Sequence, residues 1–298
     1  MRFFVTALFI FSAAHTAFGQ EHYEFYTGIR GLGMGGAQIA TVNDETALLV
    51  NPAGLGKLRD YFITVVDPEI TLGGETESIA GTSYSVYLEP QEILQLMSEA
   101  TNQDKHFHAK GQIFPSAVFP NFGIGVLANF QTDAEYNTDT APELFELNYR
   151  SDIAVVFGFN FRIWDGRIKL GFNSKIINRN QIFRSEIPVD STGLTIENLA
   201  QEGVAIASDA GLIITMPWAL LPTIAAVYRN VGDTSFTIRD KGLINGIEDN
   251  APERIDGDVD VGFALFPIAG KRSRIAFAGE YRGVLTASDE EDSSKRIH

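Results

Sequence analysis

Asp152-Ile-Ala-Val-Val-Phe-Gly-Phe-Asn-Phe-Arg-Ile-Trp-Asp-Gly-Arg-Ile-Lys-Leu-Gly-Phe-Asn-Ser-Lys175 decides the fold class of this chain. Ile153, Val155, Phe157, Phe159 and Phe161 alternate with Asp152, Ala154, Val156, Gly158, Asn160 and Arg162. Beyond Trp164-Asp165-Gly166, Ile168, Leu170 and Phe172 alternate with Arg167, Lys169, Gly171, Asn173 and Lys175. A period of two marks strands, and Asp-Gly between two such runs marks a hairpin. One face is continuously aliphatic and aromatic; the other carries Asp, Asn, Arg, Lys and Gly. Each arm is about ten residues, the length a tilted strand needs to cross a bilayer. A soluble barrel would turn the greasy face inward. The pattern therefore predicts an all-β protein, a transmembrane antiparallel up-and-down β-barrel.

The same alternation returns at Ile124, Val126, Ala128 and Phe130, at Val259, Val261, Phe263 and Leu265, and at Ile275, Phe277, Gly279 and Tyr281. Short links fall near Pro115 to Asn121, Trp164 to Gly166, Pro217 to Pro222 and Pro267 to Lys271. Long polar links fall near Glu75 to Lys105, Thr132 to Glu146, Phe183 to Gly203, Thr234 to Ile255 and Thr286 to Ser294. Short and long links alternate, as periplasmic turns and extracellular loops do in outer-membrane barrels. This requires Tyr61 to Leu72 to be one strand, with Ala80 to Leu88 in the first outer loop. Two helices are expected in outer loops, Glu89 to Ala100 and Leu194 to Gln201. Pro90 suits the first turn of the former, and Ile93, Leu94, Leu96 and Met97 make its apolar face.

The chain has 298 residues, no Cys and a net charge of −15. Absence of Cys excludes disulfides, thiol nucleophiles and Cys-based zinc sites. The acidic balance argues against a nucleic-acid partner. Residues 1–19 read as a cleaved secretory signal: Arg2, an apolar run from Phe3 to Ala14, then Ala17-Phe18-Gly19. The mature chain is expected to begin at Gln20. No later apolar run is long enough for a membrane helix.

Ahead of the first strand stands Gly28-Ile-Arg-Gly-Leu-Gly-Met-Gly-Gly-Ala37, followed by Asn43-Asp-Glu-Thr-Ala-Leu-Leu-Val-Asn-Pro-Ala-Gly54. Gly31-x-Gly33-x-x-Gly36 matches the spacing of a dinucleotide-binding loop. That loop needs a buried strand before it and an acidic residue about 20 positions on. Here polar Gln20 to Thr27 precedes it, Asp44-Glu45 comes too early and no βαβ rhythm follows. The stretch resembles instead the N-terminal segment of FadL-like outer-membrane proteins, the long-chain fatty-acid and hydrocarbon transporters with their PorV-like relatives. The matching residues are Gly31 to Ala37, Asn43-Asp44 and Asn51 to Leu55. The resemblance implies a hatch folded into the barrel lumen, formed around Gly31, Gly33, Gly35, Gly36, Asn51, Pro52 and Ala53. It also implies passive transport of hydrophobic small molecules such as long-chain fatty acids. A non-transporting, PorV-like barrel acting in secretion or binding a surface partner is the alternative. Under either, the partners are outer-membrane lipid and, for transport, a hydrophobic ligand; the barrel is read as a monomer in a Gram-negative outer membrane.

The domain division follows: signal peptide 1–19, hatch 20–59, barrel 60–298. Nine strands are counted from Tyr61, and Lys295 to His298 begins a tenth after the acidic run Asp289 to Asp292. An open edge is not tolerated in lipid, so the native chain is expected to continue past His298. No catalytic constellation, metal set or cofactor motif stands out, and the chain is read as a non-enzyme. His106 and His108 share a strand face but lack a third ligand, which favours a polar strand end over a metal site. Asp152, Arg162, Lys169, Lys175, Asp209, Asp258, Asp260, Glu280 and Arg282 are expected to face the lumen and to pair there with one another and with the backbone of the hatch, whose turn around Asn51-Pro52-Ala53 needs hydrogen bonds from the wall. The Ile93, Leu94, Leu96, Met97 face either packs on the barrel mouth or forms an outer landing groove for the ligand.

Overall fold

The structure, a computed structural model, describes residues 25–73, 89–99, 105–137, 144–188, 191–238, 251–269 and 274–285. The expected signal peptide, the 80–88 stretch, the 289–292 acidic run and the start of a tenth strand lie outside the described residues.

Among the described residues twelve strands form one antiparallel sheet; nine follow the path β1-β4-β5-β6-β7-β8-β9-β11-β12, while β10 pairs with β8, β2 with β3, and β3 with β5. They are β1 (Phe62–Thr64), β2 (Pro68–Leu72), β3 (Lys105–Ile113), β4 (Ser116–Phe119), β5 (Phe122–Asn137) and β6 (Leu144–Ile163), then β7 (Ile168–Pro188), β8 (Gln201–Thr215), β9 (Thr223–Arg229), β10 (Thr237–Ile238), β11 (Asp258–Ala269) and β12 (Arg274–Tyr281). Among the described residues no pairing joins β12 to β1 or β2.

Several of these strands are halves of one span. β1 pairs with β4 while β2 pairs with β3, so Tyr61 to Leu72 is a single rise interrupted at residues 65–67, opposite Phe114-Pro115. Pro68 and Pro115 have no N–H to give the ladder, and three residues facing two produce a bulge. Pro115 is thus a kink within a span, not part of a turn. The turn is only Pro120-Asn121, with Asn121 at φ 70°. β10 likewise extends the rise of β9 by pairing back to β8. Grouped so, the sheet has nine spans, the number the alternation gives.

The β6–β7 hairpin closes with Ile163 opposite Ile168. Trp164, Asp165 and Gly166 all take positive φ (54°, 52° and 76°), which explains the Asp-Gly at the bend. Its arms keep the expected register. Ile153, Phe157, Phe159, Phe161 and Phe172 are exposed, whereas Asp152, Ala154, Val156, Gly158, Asn160, Asn173 and Lys175 are buried. The exposed band continues through Ile124 and Val126 on β5, Ile206 on β8, Ile224 on β9, Val261 and Phe263 on β11, and Ile275 and Phe277 on β12. From Ile153 to Ile163 is ten steps of about 3.4 Å, which at a tilt of about 40° rise about 26 Å. Along about 34 Å of strand and across seven strands spaced by about 4.8 Å, that is about 980 Å² of wall. Soluble monomers rarely expose a contiguous apolar patch above about 300–600 Å². The exposed face of the sheet is an apolar band, and the buried face mixes apolar side chains such as Val156 and Ile177 with Asp152, Asn173 and Lys175. Among the described residues no helix is long and apolar enough to cross a membrane, which leaves crossing by strands untouched.

Towards the long loops the strands run further than the polar link sequences suggest: β5 reaches Asn137, β6 begins at Leu144, and β7 reaches Pro188. There the outer face is covered by protein. Phe107, Ala109, Ala134, Tyr136, Phe145, Leu147, Tyr149 and Ile182 pack under Ile93, Leu94 and Met97 of a helix at Pro90–Glu99 and under Leu194, Ile196 and Ala200. A short helix at Ile196–Leu199 completes the cover, capped by Thr195 Oγ1 accepting from the Asn198 amide.

Candidate functional site

Residues 25–58 lie on the buried face of the sheet and supply nearly half of its core: Ile39, Leu48, Leu49, Val50 and Leu55 pack on Leu127, Ala154, Val156, Ile177, Ala207, Ile213 and Val227. Three short helical turns shape the segment: α1 (Ile29–Gly33), α2 (Ala47–Val50) and a 3₁₀ turn at Pro52–Lys57. Asn51 joins the last two and is wholly buried. Its side-chain oxygen accepts from the Ala53 amide (3.0 Å) and its side-chain nitrogen donates to the Ile39 carbonyl (3.0 Å), so it folds the segment onto itself. Pro52 starts the 3₁₀ turn, where its missing N–H costs nothing.

The motif glycines divide by what requires them. Gly35 and Gly36 take positive φ (63° and 88°), which L residues avoid. At Gly31 an added Cβ would stand 2.6 Å from the flexible end of Gln38. Gly33 is different: it is helical and has open space where a Cβ would point. Neither backbone angle nor a close neighbour therefore requires glycine at Gly33, one of the residues the resemblance assigns to the hatch.

The wall has been hollowed to receive this segment. A Cβ on Gly171 would fall 2.1 Å from Ala53 N, one on Gly211 2.1 Å from Asn51 Oδ1, and one on Gly158 2.4 Å from Leu48 Cδ1. Polar wall side chains then bond its backbone. Asn160 Nδ2 donates to the Ala53 carbonyl (3.2 Å) and Asn173 Nδ2 to the Leu48 carbonyl (2.8 Å). Glu280 Oε2 accepts from the amides of Gln38 (2.8 Å) and Ile39 (3.0 Å), while Arg282 Nη2 donates to the Gly36 carbonyl (2.6 Å). At the start, Asn129 Nδ2 donates to the Phe25 carbonyl (2.9 Å), and Gln112 bonds the Thr27 carbonyl. The expected wall bonds to the Asn51-Pro52-Ala53 bend reduce to one, from Asn160; the rest of that bend is held internally.

The buried charges pair within the wall. Arg179 forks onto Asp152 (2.7 and 2.8 Å), Lys175 meets Asp209 (2.8 Å), Arg229 meets Asp260, and Arg282 meets Glu280 (2.7 Å). A planar guanidinium matches a carboxylate edge, which fixes both side chains. Arg229 also reaches the Leu49 carbonyl (3.4 Å). Arg162 departs from the expected pairing: it is exposed at the turn end. Within the segment, Arg30 pairs with Asp44, and burial pushes the neighbouring Glu45 carboxyl above its usual range. Burial, followed by the charges of Glu69 and Asp67, also raises the Tyr26 phenol.

Two cavities flank the segment. One, of about 650 Å³, lies at the turn end between residues 56–60 of the segment and Arg162, Asp165, Lys169, Leu221 and Phe266 of the wall. The other, of about 350 Å³, lies towards the long loops beside Tyr26, Arg150, Arg179, Arg229 and Arg254. The second is lined largely by charged residues, while the first mixes charges with Leu58, Phe62, Leu221 and Phe266. The Ile93, Leu94 and Met97 face, expected to pack on the barrel mouth or to form a groove, packs on the sheet and leaves no open groove there among the described residues. It is buried on the outer face of β3, β5, β6 and β7, with Leu96 half-buried beside it. His108 bonds Asp133, and among the described residues no cluster able to hold a metal forms around it.

The sequence reading missed Arg179 and Arg229, whose partners it did name, and the wall glycines. The signal for the glycines was there: Gly158, Gly171 and Gly211 stand on the inner face of three neighbouring strands. Compared with known proteins, the chain matches no family model, no curated sequence and no solved structure.

Proposed function

We propose that the sheet closes into an outer-membrane β-barrel, that residues 25–58 plug its lumen, and that hydrophobic small molecules such as long-chain fatty acids pass through it without an energy source when the plug shifts. The observation that carries this reading is the polarity of the wall. A band of exposed Ile, Val and Phe faces outward, while paired charges and glycines face a segment that fills the interior. That arrangement is stable only where the outer solvent is hydrocarbon. The plug is held by the apolar packing of Ile39, Leu48, Leu49, Val50 and Leu55 on the wall and by hydrogen bonds, each worth about 0.5–1.5 kcal/mol net, and has a cavity on either side. Passage then needs a local rearrangement and no unfolding of the wall.

One observation favours a second reading. The cavity towards the long loops is lined largely by charged residues, and the expected apolar landing face is closed. A permanently plugged barrel serving secretion or a surface partner, as in the PorV-like alternative, fits those facts. Uptake separates the two. Cells expressing the full chain should take up labelled long-chain fatty acid faster than cells with empty vector. Equal uptake, with the protein correctly folded in the outer membrane, refutes the transport reading and leaves the partner-binding one.

A further inference from the structure

The geometry points to the turn-end cavity as a binding site for the anionic headgroup of an amphiphile, an inference that rests on the transport reading above. The chain carries a net charge of −15, yet this cavity gathers Lys57, Arg59, Arg162 and Lys169 against Asp60 and Asp165. Arg162 and Lys169 are directly opposite one another on β6 and β7, on the same inner face. Like charges placed so oppose the sheet they sit in. Elsewhere on this inner face the buried cations are matched to acids, as Arg179 is to Asp152 and Lys175 to Asp209. Here the Lys169 ammonium donates to the neutral Gly166 carbonyl. Neither Arg59 nor Arg162 makes an ion pair or hydrogen bond among the described residues. A bound carboxylate or phosphate would relieve this repulsion, and arginine presents it a planar fork of donors.

The remaining lining fits the tail of such a molecule. Leu58, Phe62, Leu221 and Phe266 lie beside the charges, and about 650 Å³ is within the usual range of ligand pockets. Two of the four cations come from the plug and two from the wall. A headgroup held among them bridges plug to wall, so binding there is coupled to the plug being seated.

The full chain in detergent, titrated calorimetrically with hexadecanoate, hexadecanol and inorganic phosphate, tests the site. The R59Q/R162Q variant removes two exposed arginines outside the packed core. Hexadecanoate affinity should fall about tenfold or more in the variant, with hexadecanol affinity unchanged and the hexadecanoate difference shrinking at high salt. If both proteins bind hexadecanoate equally, the headgroup site is refuted while the apolar-ligand reading stands. If neither lipid binds the unmodified chain, the apolar-ligand reading fails and takes this inference with it. If phosphate alone binds, and loses affinity in the variant, the site takes a free anion and the amphiphile is overturned.

Discussion

A Cβ placed on Gly171 would stand 2.1 Å from the backbone nitrogen of Ala53. The neighbour is main chain, so neither residue can yield by turning a side chain. Gly171→Val must displace the plug or the strand. Trypsin cleavage after Lys57 should become much faster in this variant, because the 3₁₀ turn at Pro52–Lys57 can no longer seat. Gly33→Val, which points into open space, should leave the cleavage rate unchanged. Equal protection in both variants would show that the segment is not seated on β7.

The register of β6 gives a second test. Phe159 is exposed on the greasy face and Asn160 is buried against the plug. Phe159→Arg in lipid vesicles should cost about 2–4 kcal/mol of folding free energy. Asn160→Ala removes the bonds to Ala53 and Leu170 and should cost about 1 kcal/mol. If Phe159→Arg is neutral or favourable, the outer face is meeting water.

The Asp152–Arg179 pair is wholly buried. Removing one partner strands a charge, so Asp152→Ala should destabilise by about 3–5 kcal/mol. Pairing it with Arg179→Met should recover part of that loss, since no orphan charge remains. Denaturant titrations of the two variants check this; a double variant less stable than the single would show that each charge has another essential partner.

Glu45 is a carboxyl whose folded-state pKa is raised by burial, with Asp44 and Asp67 adding to the shift. A raised value means the neutral form suits the fold better than the charged one. Its contribution to stability is present below the usual carboxylate value of 4.5 and is lost as pH rises through the higher folded value. Glu45→Gln should therefore stabilise the protein at neutral pH and make little difference at pH below that value. Unfolding midpoints at the two pH values decide it, and a destabilised variant at neutral pH would contradict the account.

The wall was readable because a strand with one buried face and one continuous apolar exposed face keeps a strict two-residue period, and Ile153 to Phe172 obeys it on both sides of one turn. Beyond Ile153 the cue fades. Tyr149, Leu147 and Phe145 continue the outer face without a break in apolar character, yet a helix covers them while Phe157 is left exposed. Alternation shows which face a side chain takes, never what lies against it. The same limit applied to the Ile93, Leu94, Met97 stripe, whose amphipathicity was plain and whose partner was not. In the plug, Asn51-Pro52 carried its own bend and could be read locally. The separate demands on Gly33 and Gly35 depend on backbone angle and on Gln38, which spacing does not reveal. Arg162 and Lys169 were seen as inward charges, but their lack of acidic partners appears only once the strands are paired.

Conductance across a planar bilayer bears most directly on the plugged barrel. The full chain and a form lacking Thr27 to Leu49 would be inserted separately and their single-channel currents compared. That deletion removes Leu48, Gln38 and Ile39 and with them the bonds to Asn173 and Glu280, while the wall keeps its own strand pairing. The account predicts a closed or barely conducting full chain and clear, larger current steps from the shortened one. Equal conductance from both, with both inserted, would mean that this segment does not block the lumen.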